Sequence, residues 1–162
     1  HDGEVADWRV ADAAGGGGVM NELISRLEGA TAPDPHLDAE IEAAINGGIP
    51  AYRCSDSTRR SYGPGAVHSR DDGSNINLGT WHSAPTFTGS LDAAVTLVPE
   101  GHRWLLDKRP FGSQRQDGYR AEVYRQAHGY LSDRSDVPAH WGPTPALALT
   151  TAALKARAAG VA

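Results

Sequence analysis

Apolar positions recur at helical spacing in four stretches of the chain and alternate with polar ones in two more. The first helical stretch starts at Asn21, with Leu23, Ile24 and Leu27 on one stripe and Gly29 as its stop. In the second, Asp34 is placed to cap and Pro35 to occupy the first turn. Leu37, Ile41, Ala44 and Ile45 then form the stripe, and Asn46-Gly47-Gly48 ends it. The third opens on Ser90, a good N-cap, with Asp92 in the first turn and Leu91, Ala94, Val95 and Val98 at i, i+3, i+4, i+7. Pro99 stops it, and Val98-Pro99-Glu100-Gly101 suits a type I turn. The last begins at Thr144-Pro145 and runs through ALALTTAALKARAA, with Lys155 and Arg157 near its negative end and Gly160 beyond.

Between the third and fourth helices lie the two alternating runs. In the first, Arg103 to Lys108, Trp104 and Leu106 share one face and Arg103, Leu105 and Asp107 the other. In the second, Tyr119 to Gln126, Tyr119, Ala121 and Val123 oppose Arg120, Glu122 and Tyr124. They are predicted to pair as an antiparallel hairpin around a long polar turn, Pro110 to Gly118. The segment Ser90 to Lys108 thus holds a helix, a turn and a strand, and is expected to be the unit on which the rest packs. Its helix should lie flat on the sheet that carries Trp104.

The remaining stretches are irregular. Ile49 to Phe87 is rich in Gly, Ser, Asp, Asn and Pro, with β-prone pieces at Ala51 to Cys54 and Ile76 to Trp81, and turn signals at Gly63-Pro64-Gly65 and Asp71-Asp72-Gly73-Ser74. Ala127 to Gly142 reads as loop. His1 to Val19 carries a tetraglycine, Gly15 to Gly18, and precedes the single methionine, Met20. The expectation is a flexible N-terminal extension or cloning remnant over 1–19, or else a tail whose Trp8 and Val10 dock on a partner. A single domain should then span 20–162, with a loop-rich insertion at about 53–86. The fold class that follows is α+β: an antiparallel sheet flanked by helices, an α-β-α sandwich in the order α-α-(irregular β insertion)-α-β-β-α.

Composition narrows the function classes. With 162 residues, 40% hydrophobic and 22% charged, the chain suits one globular domain, and no apolar run approaches the ~20 residues that span a bilayer. No secretory signal pattern is present, so the expected compartment is the cytoplasm, without a membrane partner. Cys54 is the single cysteine, which excludes an internal disulfide. The net charge of -5 conceals an asymmetry: residues 1–101 carry 6 basic against 15 acidic side chains, and residues 102–162 carry 9 against 5. The basic half could face nucleic acid, but its arginines are scattered singly among acids, which suits a solvated surface.

The one constellation suggestive of metal chemistry is Cys54, His68 and His82 with Asp71 and Asp72, since thiolate, imidazole and carboxylate together bind zinc. Their spacing matches no compact zinc motif. Asp71 to Asn75 (DDGSN) lacks the alternating acids and closing glutamate of a calcium loop. No nucleophile elbow, phosphate-binding loop or HExxH occurs, and Asp38 with Glu42, one helical turn apart, has the spacing of a solvated helix face. No catalytic or cofactor-binding residue is expected. A nucleic-acid reading draws on the succession of helix, antiparallel strands and helix, as in the double-stranded RNA-binding domain, and on Trp81, Trp104, Tyr119, Tyr124 and Trp141 as possible stacking groups. The lysines expected where the last helix begins are replaced by Gly142-Pro143-Thr144-Pro145.

Three separated blocks, LDAEI (Leu37 to Ile41), TGSLDAAVTLVPEGHRW (Thr88 to Trp104) and TPALALTTAALKARA (Thr144 to Ala158), resemble the phage ABA sandwich domain of bacteriophage and prophage proteins of unknown function. The resemblance implies an antiparallel sheet sandwiched by helices and carries over no catalytic or ligand residue. The expected function is that of a small non-enzymatic phage or prophage accessory protein that binds another macromolecule, protein in preference to nucleic acid. A nucleic-acid-binding domain, or a metal or enzymatic site in the insertion, are the alternatives.

Overall fold

The computed structural model describes residues 16–51, 63–68, 81–108, 118–125 and 139–160. Its elements run α1 (Gly16–Gly29), α2 (Pro35–Asn46), β1 (Ile49–Pro50), β2 (Ala66–His68), β3 (Trp81–Ser83), α3 (Leu91–Val95), β4 (His102–Lys108), β5 (Tyr119–Arg125), β6 (His140–Gly142) and α4 (Pro145–Gly160). The chain is α+β, with antiparallel strands divided between two three-stranded sheets, β1-β2-β3 and β4-β5-β6. The helices lie between the sheets: α2 packs on β1 and β2, α1 joins α2 to α4, and α4 covers the second sheet.

The capping signals act where they stand in the sequence. The Asp34 carboxylate accepts from the N–H of His36 at 2.9 Å and of Leu37 at 3.3 Å, Ser90 Oγ accepts from Ala93 N at 3.4 Å, and Thr144 Oγ1 accepts from Leu147 N at 3.2 Å. Gly47, at φ 81, closes α2 by donating to the Ala43 carbonyl at 2.9 Å. α1 starts before the expected domain boundary at residue 20. Its first turn is drawn from the tetraglycine, and Val19 and Met20 dock on the core, so packing overrides poor glycine propensity there. Residues 1–15, including Trp8 and Val10, lie outside the described part.

α4, and not the Ser90–Lys108 unit, is the hub. Ala146 to Leu154 are all buried, and the helix touches α1, α3 and every strand of the second sheet, chiefly β5. A helix with no solvent face must satisfy its polar side chains internally. Thr150 Oγ1 accordingly donates to the Phe87 carbonyl and Thr151 Oγ1 to that of Leu147, each at 2.8 Å.

α3 packs chiefly on α4, where it was expected to lie flat on the sheet, and it is shorter than expected. After Val95 the bonds tighten to i−3: Thr96 to Ala93, Leu97 to Ala94 and Val98 to Val95. With three residues per turn, Ala94 and Leu97 come onto one face and are the residues buried, while Leu91, Val95 and Val98 remain half-buried. Arg157 Nε donates to the Leu97 carbonyl at 2.6 Å and ties this end to α4. The turn that follows is displaced by one residue: His102 N donates to Pro99 O at 3.1 Å, which puts Gly101, at φ 76, at the third position, the geometry of a type II turn.

The β4–β5 hairpin forms with Trp104 opposite Val123 and Leu106 opposite Ala121, the faces expected from alternation. A third strand, β6, arises within the stretch expected to be loop, pairing Ala121 with His140 and Tyr119 with Gly142. Glycine is required at 142, because a Cβ there would sit 2.8 Å from the backbone nitrogen of Ala148 and 2.9 Å from its Cα. In the insertion, strands stand at 49–50, 66–68 and 81–83; of the expected pieces, only Ala51 and Trp81 fall among the described residues. No helix among the described residues is long and apolar enough to cross a membrane.

Candidate functional site

Three groupings of polar or exposed side chains could carry function, and the structure distinguishes them by what each side chain already does. The first lies where α2 meets the small sheet. His68 and His82 sit on adjacent strands, but Val67 pairs with His82 and His68 pairs with Trp81, so the two imidazoles project from opposite faces. His82 Nε2 lies 3.4 Å from Glu42 Oε1, on the α2 side. His68 is fully buried, edge-on to Trp81 with ring centroids 4.7 Å apart, and neither ring nitrogen has a hydrogen-bond partner among the described residues. The two described members of the expected metal set are therefore not brought together; Cys54, Asp71 and Asp72 lie outside the described residues. No group of three potential ligands converges among the described residues.

α2 itself buries Asp38, Glu40 and Glu42, where a solvated face was expected. Each carboxylate is engaged. Asp38 Oδ1 accepts from the Thr88 N–H at 2.8 Å, Glu40 pairs with Arg26, and Glu42 accepts from Asn46 Nδ2 at 3.0 Å. Thr88 is held at both ends, since its Oγ1 also accepts from Asp34 N at 2.8 Å. Burial pushes the Asp38 carboxyl above its ordinary range, the Thr88 hydrogen bonds oppose the rise, and nearby Asp34 adds to it. These contacts fasten α2 to the segment leading into α3. They are structural.

The second grouping joins three elements: Lys155 of α4, Glu28 of α1 and His140 of β6. Lys155 Nζ lies 2.5 Å from Glu28 Oε1, and the hydrogen bond lowers the Glu28 pKa. His140 is held below the usual imidazole range, first by burial and then by the Lys155 charge, against the opposing pull of Glu28. The Lys155–Glu28 pair ties α4 to α1, and the lowered pKa of His140 disfavours a second cation beside the Lys155 ammonium.

The third is the β4 edge. β4 and β6 are the outer strands of their sheet, and no described strand lies along the far side of β4. Trp104 is 38% exposed, the one large hydrophobic residue so placed among the described residues. Beside it, Leu105 and Leu106 are half-buried. The opposite face carries Arg103, Leu105 and Asp107 against Tyr124, Glu122 and Arg120 of β5. Arg120 pairs with Glu122 and lies 3.6 Å from Asp107, whose side chain is 45% exposed. α4 sits mainly over β5, so Trp104 at the edge is only partly covered. Alternation predicts Trp104 to face the helices, as it does, but gives no sign that the helix over it lies too far inward to cover it.

Compared with family models, with curated proteins and with solved structures, the chain finds no match.

Proposed function

We propose that this chain is a small phage- or prophage-encoded accessory protein of the host cytoplasm, a non-enzymatic module that binds another protein along the β4 edge. One observation carries the reading: a seven-residue edge strand, with no described neighbour on its outer side, bears the exposed Trp104. Exposed strand edges are templates for adding a strand, in which backbone hydrogen bonds supply affinity and alternate side chains supply selectivity. A tryptophan at such an edge is the side chain best suited to anchor a contact. The phage origin rests on the resemblance of three sequence blocks, Leu37 to Ile41, Thr88 to Trp104 and Thr144 to Ala158, to the phage ABA sandwich domain.

The test is recovery of tagged protein from an induced or infected host, with wild type and Trp104→Ser compared side by side. The reading expects a bound protein, whether a host protein or an untagged copy of this chain, in stoichiometric amount with wild type and roughly tenfold less with the variant. Equal recovery of the same proteins with both would refute it.

The succession α3, β4, β5, β6, α4, with the two helices packed on each other, supports a second reading as a nucleic-acid-binding domain. Gly142-Pro143-Thr144-Pro145 stands where that reading needs lysines. A mobility-shift assay at low salt, where phosphate contacts are strongest, decides between the two: no shift with DNA or RNA removes the second.

A further inference from the structure

The β4 strand, HRWLLDK, is self-complementary. If it is laid antiparallel against a copy of itself with the two-fold axis at Leu105, Leu105 meets Leu105 and Trp104 meets Leu106. Arg103 meets Asp107, twice by symmetry, and the outermost pair sets His102 against Lys108. Because the side-chain period is two, this register keeps each residue on the face it already occupies. Trp104 and Leu106 stay on the helix side, where Leu106 already packs on the core and Trp104 is incompletely covered. Arg103, Leu105 and Asp107 stay on the other face.

Backbone groups match this pairing. The His102 N–H is used by the Pro99 carbonyl and so does not point toward β5. By alternation, Trp104, Leu106 and Lys108 also turn their N–H and C=O groups toward the outer edge. Trp104 and Leu106 of the facing copy then exchange a pair of hydrogen bonds on each side of the axis. Asp107 is able to take a second cation, being half-exposed and with its carboxylate 3.6 Å from Arg120. Its Oδ1 is buried and without a hydrogen-bond partner among the described residues, so Oδ2, the oxygen 3.6 Å from Arg120, is the one a facing cation would meet.

We propose that the occupant of the β4 edge is a second copy of this chain, which joins the two β4-β5-β6 sheets into one continuous six-stranded antiparallel sheet across a two-fold axis at Leu105. The proposal rests on the reading of this edge as a binding surface and names its partner. An isologous contact of this kind closes on itself and stops at the dimer.

The test is sedimentation velocity on the purified full chain over a wide concentration range, for wild type, Arg103→Asp, Asp107→Arg and an equimolar mixture of the two variants, with circular dichroism to establish that each is folded. Wild type is expected to dimerise. In either variant alone, both cross-axis pairs become like-charged, and the dissociation constant should rise roughly 30-fold. The mixture restores two opposite-charge pairs in a heterodimer and should dimerise again, a recovery that loss of a merely structural contact within one chain would not show. A wild type that stays monomeric, a dimer indifferent to both charge reversals, or variants that dissociate without recovery on mixing would each overturn the proposal. A monomer that still captures a host protein in a Trp104-dependent manner would sink this inference and leave the binding-edge reading standing.

Discussion

Replacing Asp38 separates two opposed effects that one side chain now combines. Its carboxylate accepts the buried Thr88 N–H at 2.8 Å, and it carries a charge that burial disfavours. Asp38→Asn keeps an oxygen acceptor in place and removes the charge, so it is expected to be at least as stable as wild type at neutral pH. Asp38→Ala removes the charge too but leaves the Thr88 N–H without an acceptor, which costs about 1–3 kcal/mol relative to the asparagine variant. For a chain of this length each kcal/mol moves the thermal midpoint by roughly 2–4 °C. The folded-state pKa of Asp38 is raised, so the native state holds that proton more tightly than the unfolded chain does. The resulting stabilisation is complete below the unfolded value of about 3.8 and is lost as pH rises through the folded value. Any advantage of Asp38→Asn over wild type should therefore be largest at neutral pH and close on acidification. Urea unfolding of the three proteins from neutral pH down to pH 4 measures both quantities. Equal stability of the alanine and asparagine variants, or a gap that widens in acid, would refute the reasoning.

Gly142→Ala forces a methyl group against the backbone of α4 at Ala148, which cannot move as a flexible side chain would, and should cost about 1–3 kcal/mol in a urea midpoint. Gly17→Ala and Gly18→Ala have open space around the new Cβ and lie within α1, so each should stabilise by about 0.5–1 kcal/mol in the same assay; destabilisation would mean that this turn is not helical in solution. His140 has a depressed folded pKa, so its contribution is present above about pH 6.5 and is lost as pH falls through the folded value; His140→Gln should flatten the stability profile below that point. An unchanged acid slope in the variant would assign the effect elsewhere.

Much of the local structure is written in residues that neighbour one another. Asp34, Ser90 and Thr144 cap helices because the N–H groups they serve lie two or three positions away, and the alternation in β4 and β5 sets their faces whatever they pack against. Partners distant in the chain decided the rest. α4 has apolar residues around nearly its whole circumference, so periodicity could not say which side it presents; its neighbours bury every side from Ala146 to Leu154 and make it the hub. β6 and the three strands of the small sheet are two or three residues long, too short for alternation to register, and exist because a longer or adjacent strand supplies their hydrogen bonds. Asp38 and Glu42, one turn apart on a face that looks solvated, are buried because Thr88 and His82 close over them from other segments. His68 and His82 look like members of one ligand set in the sequence. Pairing β2 with β3 so that Val67 faces His82 turns them to opposite sides of the sheet, and only the tertiary register could decide that.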